Sequence, residues 1–322
     1  MTEGLAERHP SSLRERVEAC RADASMAIVD EPLACAAIPA RVAAEERGRN
    51  RALLFTRLTD APVPVVGNLY GASERLCRAL GVSDRGELCE RIERALDRPA
   101  QIGSPAPAEQ CAMIPNPDLA RHLPSIRYSS GDTEPYLTGG IVIARDPQSA
   151  RHHLCYVRLA MLGGNRLLFN PATPRIRRIV DRTVGRGEPL DVAVAIGAPA
   201  ALTVLACVTV PGEVDKLQAA QALAGGTLGF ADGLLPVPAA ADFVLTGQVV
   251  PRFRAEGRFG DLKGVYAANA ANPELHVTSL RVRREPLFHS VSAGTSREHV
   301  ELVTLGPQLL LERLRRAVPG IL

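Results

Sequence analysis

The hydrophobic pattern of the chain changes once, at a stretch rich in proline, glycine, alanine and serine between residues 97 and 117, and this change limits the possible folds most. Before the stretch, short apolar runs alternate with amphipathic segments of helical period, whereas strand-like runs dominate after it. Such a composition is typical of a connection between compact units. We therefore predict three parts, at residues 1–115, 116–305 and 306–322, the last a connecting helix.

The first part is predicted to be an α/β domain, because helices and buried strands alternate in it. Ser12 and Glu15 have the spacing of a capping box at a helix N-terminus. Short apolar runs predict strands at residues 26–29, 52–56 and 63–68. Helices are expected at residues 12–24, 33–47, 72–80 and 83–96, and Pro39 should interrupt or offset the second of them.

The second part is predicted to be an α+β domain resembling a barrel, because strands outnumber helices in it. The predicted strands are residues 140–144, 153–161, 166–169, 190–195, 231–238, 242–250 and 276–283. Helices are expected at residues 175–186, 198–206 and 214–224. A last amphipathic helix, residues 307–318, carries Leu310, Leu311 and Leu314 on one face, which either another subunit or the core would cover.

Composition narrows the class of protein. Apolar residues make up 46% of the 322 residues and charged residues 23%, as in ordinary globular proteins. The 38 basic and 35 acidic residues are interspersed and aromatic residues are only 4%, so we expect no nucleic-acid partner. No apolar run has the roughly 18 residues that a membrane span needs. The polar N-terminus also lacks the apolar segment of a signal peptide, so we expect a cytoplasmic protein.

Cysteine and histidine spacing gives no sign of a metal or a disulfide. The seven cysteines are widely spaced without a Cys-x-x-Cys pair, and we interpret them as reduced core residues. His152 and His153 are adjacent, so in a strand their rings would point to opposite faces rather than to one metal. The glycine motifs of nucleotide-binding proteins and the motifs of zinc proteases and serine hydrolases are absent from the sequence.

The densest group of polar residues lies at residues 255–264. Glu256 and Asp261 stand five residues apart among three glycines, with Arg258 between them. Paired carboxylates near an arginine can divide into one charged and one protonated group, which acid/base chemistry requires. A glycine-rich hairpin with charges on the surface would have the same composition, so composition alone leaves both interpretations open.

Three groups of residues, in order along the chain, resemble the UbiD family of decarboxylases. They are residues 61–71 with 73–76, residues 188–197, and the sequence Glu-Gly-Arg-Phe-Gly-Asp at 256–261 followed by Gly264, Tyr266, residues 276–278 and residues 284–290. The resemblance covers nearly the whole chain, from about Ser12 to Leu322. It implies a split β-barrel domain, of the flavin-reductase type, that binds prenylated FMN.

The resemblance also implies roles for individual residues. Arg158 would orient the substrate carboxylate and pair with Glu256, and Asp261 would donate the proton to the product carbon. The implied substrate is an aromatic, heteroaromatic or α,β-unsaturated carboxylic acid, which the enzyme would decarboxylate without oxidation or carboxylate in reverse. The implied contacts to the cofactor are His153, Tyr156, Val157, Arg158, Arg175, Cys207 and Val208.

The chain departs from the family at the metal that holds the flavin phosphate. Typical members use an asparagine, a histidine and a glutamate, and the corresponding places here hold His153, Arg175 and Ala231, with Asp232 beside the last. Hard cations that bridge phosphate prefer oxygen ligands, which argues against Mn²⁺ here. Arg175 is instead expected to contact the phosphate directly. Arg258 also stands where proline is common in the family motif.

Length is the other departure, because typical members continue into a C-terminal α/β domain that helps to close the active site. We therefore expect either a homo-oligomer or a partner subunit that supplies this domain. A competing interpretation is a non-catalytic or accessory subunit that has lost the metal site. A third is a different reaction on the same scaffold, with unmodified flavin or with none.

Overall fold

The computed structural model describes residues 12–104, 106, 111–318 and 320. The polar segment before Ser12 and part of the connecting stretch, residues 105 and 107–110, lie outside the described residues. Within the described part, the chain forms a four-stranded sheet, a nine-stranded sheet and two short two-stranded sheets. The large sheet is curled into a half-barrel, which confirms the predicted fold class.

The regular elements number nine α-helices and 17 strands among the described residues. The helices are α1 (Leu13–Ala22), α2 (Ile38–Arg47), α3 (Ser73–Leu80), α4 (Arg85–Asp97), α5 (Pro174–Thr183), α6 (Ala200–Cys207), α7 (Lys216–Leu223), α8 (Arg297–Val303) and α9 (Leu305–Ala317). The strands are β1 (Met26–Val29), β2 (Ala52–Phe55), β3 (Val65–Gly67), β4 (Cys111–Pro115), β5 (Tyr136–Leu137), β6 (Ile141–Arg145), β7 (His152–Tyr156), β8 (Leu159–Met161), β9 (Arg166–Phe169), β10 (Leu190–Ile196), β11 (Phe230–Ala231), β12 (Val237–Pro238), β13 (Phe243–Arg254), β14 (Phe259–Gly260), β15 (Tyr266–Ala267), β16 (Asn272–Arg283) and β17 (Phe288–Ser290).

Local sequence explains the first two helices. The capping box at α1 is present, since Ser12 Oγ accepts from the Glu15 amide and the Glu15 carboxylate accepts from the Ser12 amide. The helix ends at Ala22, because Ala24 has a positive φ of 59° that no helix continues through. Pro39 lies in the first turn of α2, where its missing N–H has no helical partner to lose, so it starts the helix rather than interrupting it.

The small sheet joins three strands of the N-terminal part to β17, a strand that lies much later in the chain. Its order is β1-β2-β3-β17, in which β1 is parallel to β2, β3 is antiparallel to β2, and β17 is parallel to β3. The sequence did not predict β17, which is only three residues long. Because β17 follows the strands of the half-barrel in sequence, the polypeptide returns to the first sheet after it has built the second.

The large sheet has the order β5-β8-β9-β16-β13-β10-β6-β7, with β4 added on β16, and all of its pairs are antiparallel. One continuous strand was predicted at residues 153–161, but β7 and β8 are separated at Val157 and Arg158. In the sheet order, β7 is the strand at one end and β8 is next to the strand at the other end, although two residues join them. The ends of the curled sheet therefore meet at Val157 and Arg158, a place that we call the seam.

Two clusters of buried apolar side chains hold these layers together. One lies among α1, α3, α4, α6 and α7 and reaches the faces of β6 and β10 that are turned towards them. The other joins the half-barrel to α2, α5 and the small sheet, and it contains large side chains such as Phe169, Phe243 and Phe288, each fully buried. Burial of a side chain of this size stabilises the fold by roughly 1.5–3 kcal/mol.

The last helix packs partly on the core. Leu305 and Leu309 are buried, and Arg313 and Arg316 form ion pairs with Glu93 of α4. The predicted apolar face is nevertheless not fully covered, since Leu310 is 57% and Leu314 is 42% exposed. None of the described helices combines the length and the apolar composition that crossing a membrane requires.

Candidate active site

A buried ion pair lies at the seam of the half-barrel. Arg158 Nε donates to Glu256 Oε1 at 2.6 Å and Nη2 donates to Oε2 at 2.8 Å, so the contact is bidentate. The Glu256 side chain is only 2% exposed and that of Arg158 is 14% exposed. The guanidinium carbon lies 4.7 Å from the centre of the Phe259 ring, which adds a cation–π contact.

Asparagines saturate the carboxylate of this pair. Glu256 Oε2 accepts from Asn269 Nδ2 at 2.7 Å and from Asn272 Nδ2 at 3.0 Å. The Asn170 amide, in the orientation that the hydrogen-bond network favours, accepts from Arg158 Nε and Nη2 at 2.9 Å. Among the described residues, Arg158 Nη1 has no partner. The arrangement fixes the guanidinium and leaves one nitrogen for a ligand.

A hairpin carries Asp261 to the same place. The strands β14 and β15 pair, and Asp261 begins the loop between them, where its Oδ1 accepts from the Lys263 amide at 3.0 Å. Gly257 fits between Glu256 and this hairpin because a Cβ there would lie 2.4 Å from Thr133 Cβ and Oγ1. Gly257, one of the three glycines that left the composition ambiguous, therefore serves a close approach of two loops.

The loop at residues 128–133 holds the hairpin. Asp132 is buried, and its Oδ1 accepts from the Gly260 amide at 2.9 Å while its Oδ2 accepts from the amides of Tyr128 and Ser129. The Thr133 hydroxyl accepts from the Arg258 amide at 2.9 Å. These bonds position the residue before Asp261, so the orientation of the Asp261 carboxylate depends on the loop.

A cavity of about 350 Å³ connects these groups. Of the residues predicted for the site, Tyr156, Val157, Arg158, Cys207 and Asp261 line it. Glu256 does not line it and lies behind Arg158, and His153, Arg175 and Val208 are also absent from its wall. Other lining residues are Thr138, Asn170, Ala172, Thr173, Ala206, Phe259, Leu262, Val291, Ala293, His299, Leu302 and Val303.

Burial determines the charge state of several groups in the wall. It raises the pKa of the Tyr156 hydroxyl well above 10 and that of the Cys207 thiol to about 12, so both stay neutral. Burial also lowers the pKa of His299, although a hydrogen bond to the Gly294 carbonyl opposes this. His299 Nδ1 lies 2.9 Å from the Gly294 carbonyl, which can only accept, so Nδ1 carries the proton and Nε2 is unprotonated.

The sequence did not indicate His299, Asn170, Asn269 or Asn272. His299 belongs to α8, a helix that was not predicted, and the capping Ser296 before it was the one local signal. Asn170 lies far from Asn269 and Asn272 in the chain, so their meeting at the seam depends on the tertiary fold.

The residues in the metal positions do not fit a divalent cation. Among the described residues there is no group of three His, Cys, Asp or Glu side chains that could hold a metal ion. His153 is 3% exposed, and burial followed by the charges of Lys216, Arg175 and Arg178 lowers its pKa to about 2. Ala231 and Asp232 line a second cavity, which does not contain Arg158.

Lys216 is a buried cation whose charge acts on His153, one of the residues in the metal positions. It is 3% exposed and its Nζ donates to the Leu154 carbonyl at 2.9 Å. Burial lowers its pKa to about 8, so it is still mostly charged at neutral pH. Arg175, expected at the phosphate, donates to carbonyls of Pro211, Gly212 and Val214.

Comparison with known proteins gives several related chains. A structure of an evolved dimeric form of the UbiD-class enzyme HmfF from Pelotomaculum thermopropionicum, in complex with prFMN, is 30% identical and has a TM-score of 0.89, covering 96% of this chain and 74% of that chain. Vanillic acid decarboxylase from Sedimentibacter hydroxybenzoicus, in its closed form, has a TM-score of 0.85 at 22% identity, covering 96% of this chain and 70% of that chain. At that identity the likeness shows the fold alone.

A curated relative and two family models complete the comparison. Anhydromevalonate phosphate decarboxylase of Methanothermobacter thermautotrophicus is 25% identical over 243 residues, which are 74% of this chain and 56% of the relative. This chain thus spans little more than half the length of that relative. The model of the 3-octaprenyl-4-hydroxybenzoate carboxy-lyase N-terminal domain matches residues 17–96, and that of the Rift-related domain of the same carboxy-lyase matches residues 101–296. The chain belongs to the UbiD family.

Proposed function

We propose that this chain is a non-oxidative carboxy-lyase that acts on an aromatic, heteroaromatic or α,β-unsaturated carboxylic acid with prenylated FMN as cofactor. The observation that carries the proposal is the bidentate Arg158–Glu256 pair, fixed at the wall of a cavity that Asp261 also lines. Decarboxylation followed by protonation requires two groups, a fixed cation that binds the carboxylate and an acid that protonates the carbon.

The cavity suits a flavin. Its volume of about 350 Å³ is in the range of small-molecule sites, and its wall is largely apolar with a few polar groups. Tyr156, Val157 and Cys207 are the predicted cofactor contacts that line it, and His153, Arg175 and Val208 remain proposals for the region beyond the wall. A prenylated flavin would supply the electron sink that a simple side chain cannot.

Arg158 orients the substrate. Glu256 and Asn170 occupy its Nε and Nη2, so Nη1 is the donor that remains for a substrate carboxylate. Glu256 does not touch the cavity and acts through Arg158, which makes it a positioning residue. The Phe259 ring under the guanidinium keeps water from that side of the pair.

Asp261 is the proposed proton donor. Its Oδ1 is engaged by the Lys263 amide, which leaves Oδ2 to carry a proton into the cavity. The apolar residues Leu262, Val291 and Leu302 line the same cavity and limit the access of water to it. Glu256 cannot serve this role from its position, because Arg158 and two asparagines occupy both of its oxygens.

The test begins with holoprotein made by co-expression with a flavin prenyltransferase. Absorbance and mass identify the bound flavin, and CO2 release is measured with benzoate, pyrrole-2-carboxylate and cinnamate as representatives of the three substrate classes. Arg158→Lys should bind flavin but release far less CO2, since lysine cannot reproduce the bidentate contact. Arg177→Lys, an exposed change on α5, is the matched control. A preparation that never binds flavin would refute the proposal.

A second candidate is an accessory subunit that assembles with another chain. The observation in its favour is the exposure of Leu310 and Leu314 on α9, together with the unsuitable metal positions. Light scattering after size exclusion, alone and with the products of neighbouring genes, separates the candidates. A homo-oligomer that releases CO2 on its own would eliminate the accessory role.

A further inference from the structure

Lys216 is a buried ammonium group with few partners. It is the first residue of α7, and its one hydrogen bond goes from Nζ to the Leu154 carbonyl. An ammonium group has three donors, so two remain without a partner among the described residues. Buried charges are normally paired, and an unpaired one indicates that an anion belongs beside it.

The residues that the structure describes do not provide that anion. Asp215, the neighbouring carboxylate, accepts from the ring and amide of His152 through Oδ2 and caps α7 through Oδ1. The groups whose charges act on Lys216 are the thiols of Cys155 and Cys207 and the guanidinium of Arg175. Burial raises the pKa of both thiols to about 12, so neither is an anion at neutral pH.

The groups around Lys216 are further donors. His153 is 3% exposed and neither of its ring nitrogens has a hydrogen-bond partner in the described part of the chain. The buried Thr173 hydroxyl lies against the Cys155 thiol and has no oxygen or nitrogen partner among the described residues. Thr173 also precedes α5, whose first amides face no acceptor within the helix.

Thr173 connects these donors with the cavity of Arg158, because it lines that cavity and directly precedes the first residue of α5. Cys207, whose thiol is influenced by Lys216, lines the same cavity. A ligand in the cavity could therefore extend a terminal anionic group towards Lys216 and the start of α5.

We propose that Lys216, with His153 and the N-terminus of α5, binds the phosphate of the flavin directly and takes the place of the divalent cation. This inference rests on the proposed function. A phosphate monoester is nearly doubly charged at neutral pH and offers three acceptor oxygens, which suits an ammonium group, an imidazole N–H and helix amides. The same ammonium repels a divalent cation, so metal and lysine exclude each other here.

The experiment compares FMN with riboflavin, which lacks the phosphate, on purified protein treated with EDTA. Fluorescence titration should show that FMN binds more tightly than riboflavin and that EDTA does not weaken it. Lys216→Met should lower the affinity for FMN by roughly tenfold to a hundredfold and leave that for riboflavin unchanged. Lys263→Met, at the one other lysine of the sequence and exposed, is the matched control and should bind FMN like the original protein.

The outcomes separate this inference from the proposed function. Tight FMN binding that requires Mn²⁺, or that survives Lys216→Met, would overturn the lysine site and leave the flavin-dependent function intact. If neither flavin nor prenylated flavin binds, the proposed function fails, and thermal-shift titration with inorganic phosphate then tests Lys216 by itself. Equal stabilisation of the original protein and Lys216→Met by phosphate would overturn the inference in that case too.

Discussion

Replacement of Lys216 by methionine should stabilise the flavin-free protein although it weakens phosphate binding. Burial lowers the Lys216 pKa from 10.5 to about 8. At about 1.36 kcal/mol per pKa unit, holding this ammonium charged at pH 7 costs on the order of 3 kcal/mol. Methionine fills a similar volume without charge but leaves the Leu154 carbonyl unpaired, which costs about 1 kcal/mol. The expected net gain is about 2 kcal/mol.

The pH dependence of this gain tests its cause. The unfolded chain binds the Lys216 proton up to pH 10.5 and the folded chain only up to about pH 8, so the original protein becomes more stable as pH rises between these values. The advantage of Lys216→Met is therefore full below pH 8 and should nearly disappear by about pH 9.5. Urea denaturation of both proteins at the two pH values measures it.

The control for this measurement is Lys263→Met, an exposed change that should alter the free energy of unfolding by less than about 0.5 kcal/mol at either pH. A Lys216→Met protein that is less stable than the original at pH 7, or one whose advantage does not change with pH, would refute the reasoning that Lys216 is a buried, unpaired charge.

Three other substitutions test separate parts of the structure. Glu256→Ala leaves the buried Arg158 guanidinium unpaired and should lower the free energy of unfolding by about 3–5 kcal/mol in urea; a loss under about 1 kcal/mol would contradict the buried pair. Folding lowers the His153 pKa from 6.5 to about 2, so only the unfolded chain binds the His153 proton between these pH values. The free energy of unfolding should therefore fall by about 1.4 kcal/mol per pH unit below pH 6.5. His153→Leu should remove this pH dependence, and an unchanged dependence would exclude His153 as its source. Gly257→Ala forces a Cβ against Thr133 and should cost about 1–3 kcal/mol, measured by thermal unfolding, whereas an unchanged melting temperature would show that the loops are not in close contact.

Sequence reasoning reached the residue types of the site but not their arrangement. From composition alone, Glu256 and Asp261 could belong to a catalytic pair or to an ordinary charged hairpin on the surface. The pairing of Glu256 with Arg158 was predicted only from the family resemblance. The structure brings these two side chains into contact across 98 residues of sequence. Contacts of that range depend on the closure of the sheet, which local periodicity does not encode.

The features that the sequence missed share physical causes. The strand β17 is too short to show a period, and its partner β3 lies far away in the chain. The break at Val157 and Arg158 falls inside an apolar run that fits one strand equally well. Lys216 sits in the first turn of α7, where a charged residue is ordinary, and only its burial marks it as unusual.

Isotope incorporation tests the central claim most directly. Holoprotein is incubated in D2O with an acid that it decarboxylates, and mass spectrometry follows deuterium at the carbon that loses CO2. We expect the original protein and the exposed control Asp181→Asn to release CO2 and to incorporate one deuterium, and Asp261→Asn to do neither while the flavin stays bound. Turnover by Asp261→Asn at the rate of the control would contradict the assignment of Asp261 as the proton donor of a UbiD-type carboxy-lyase.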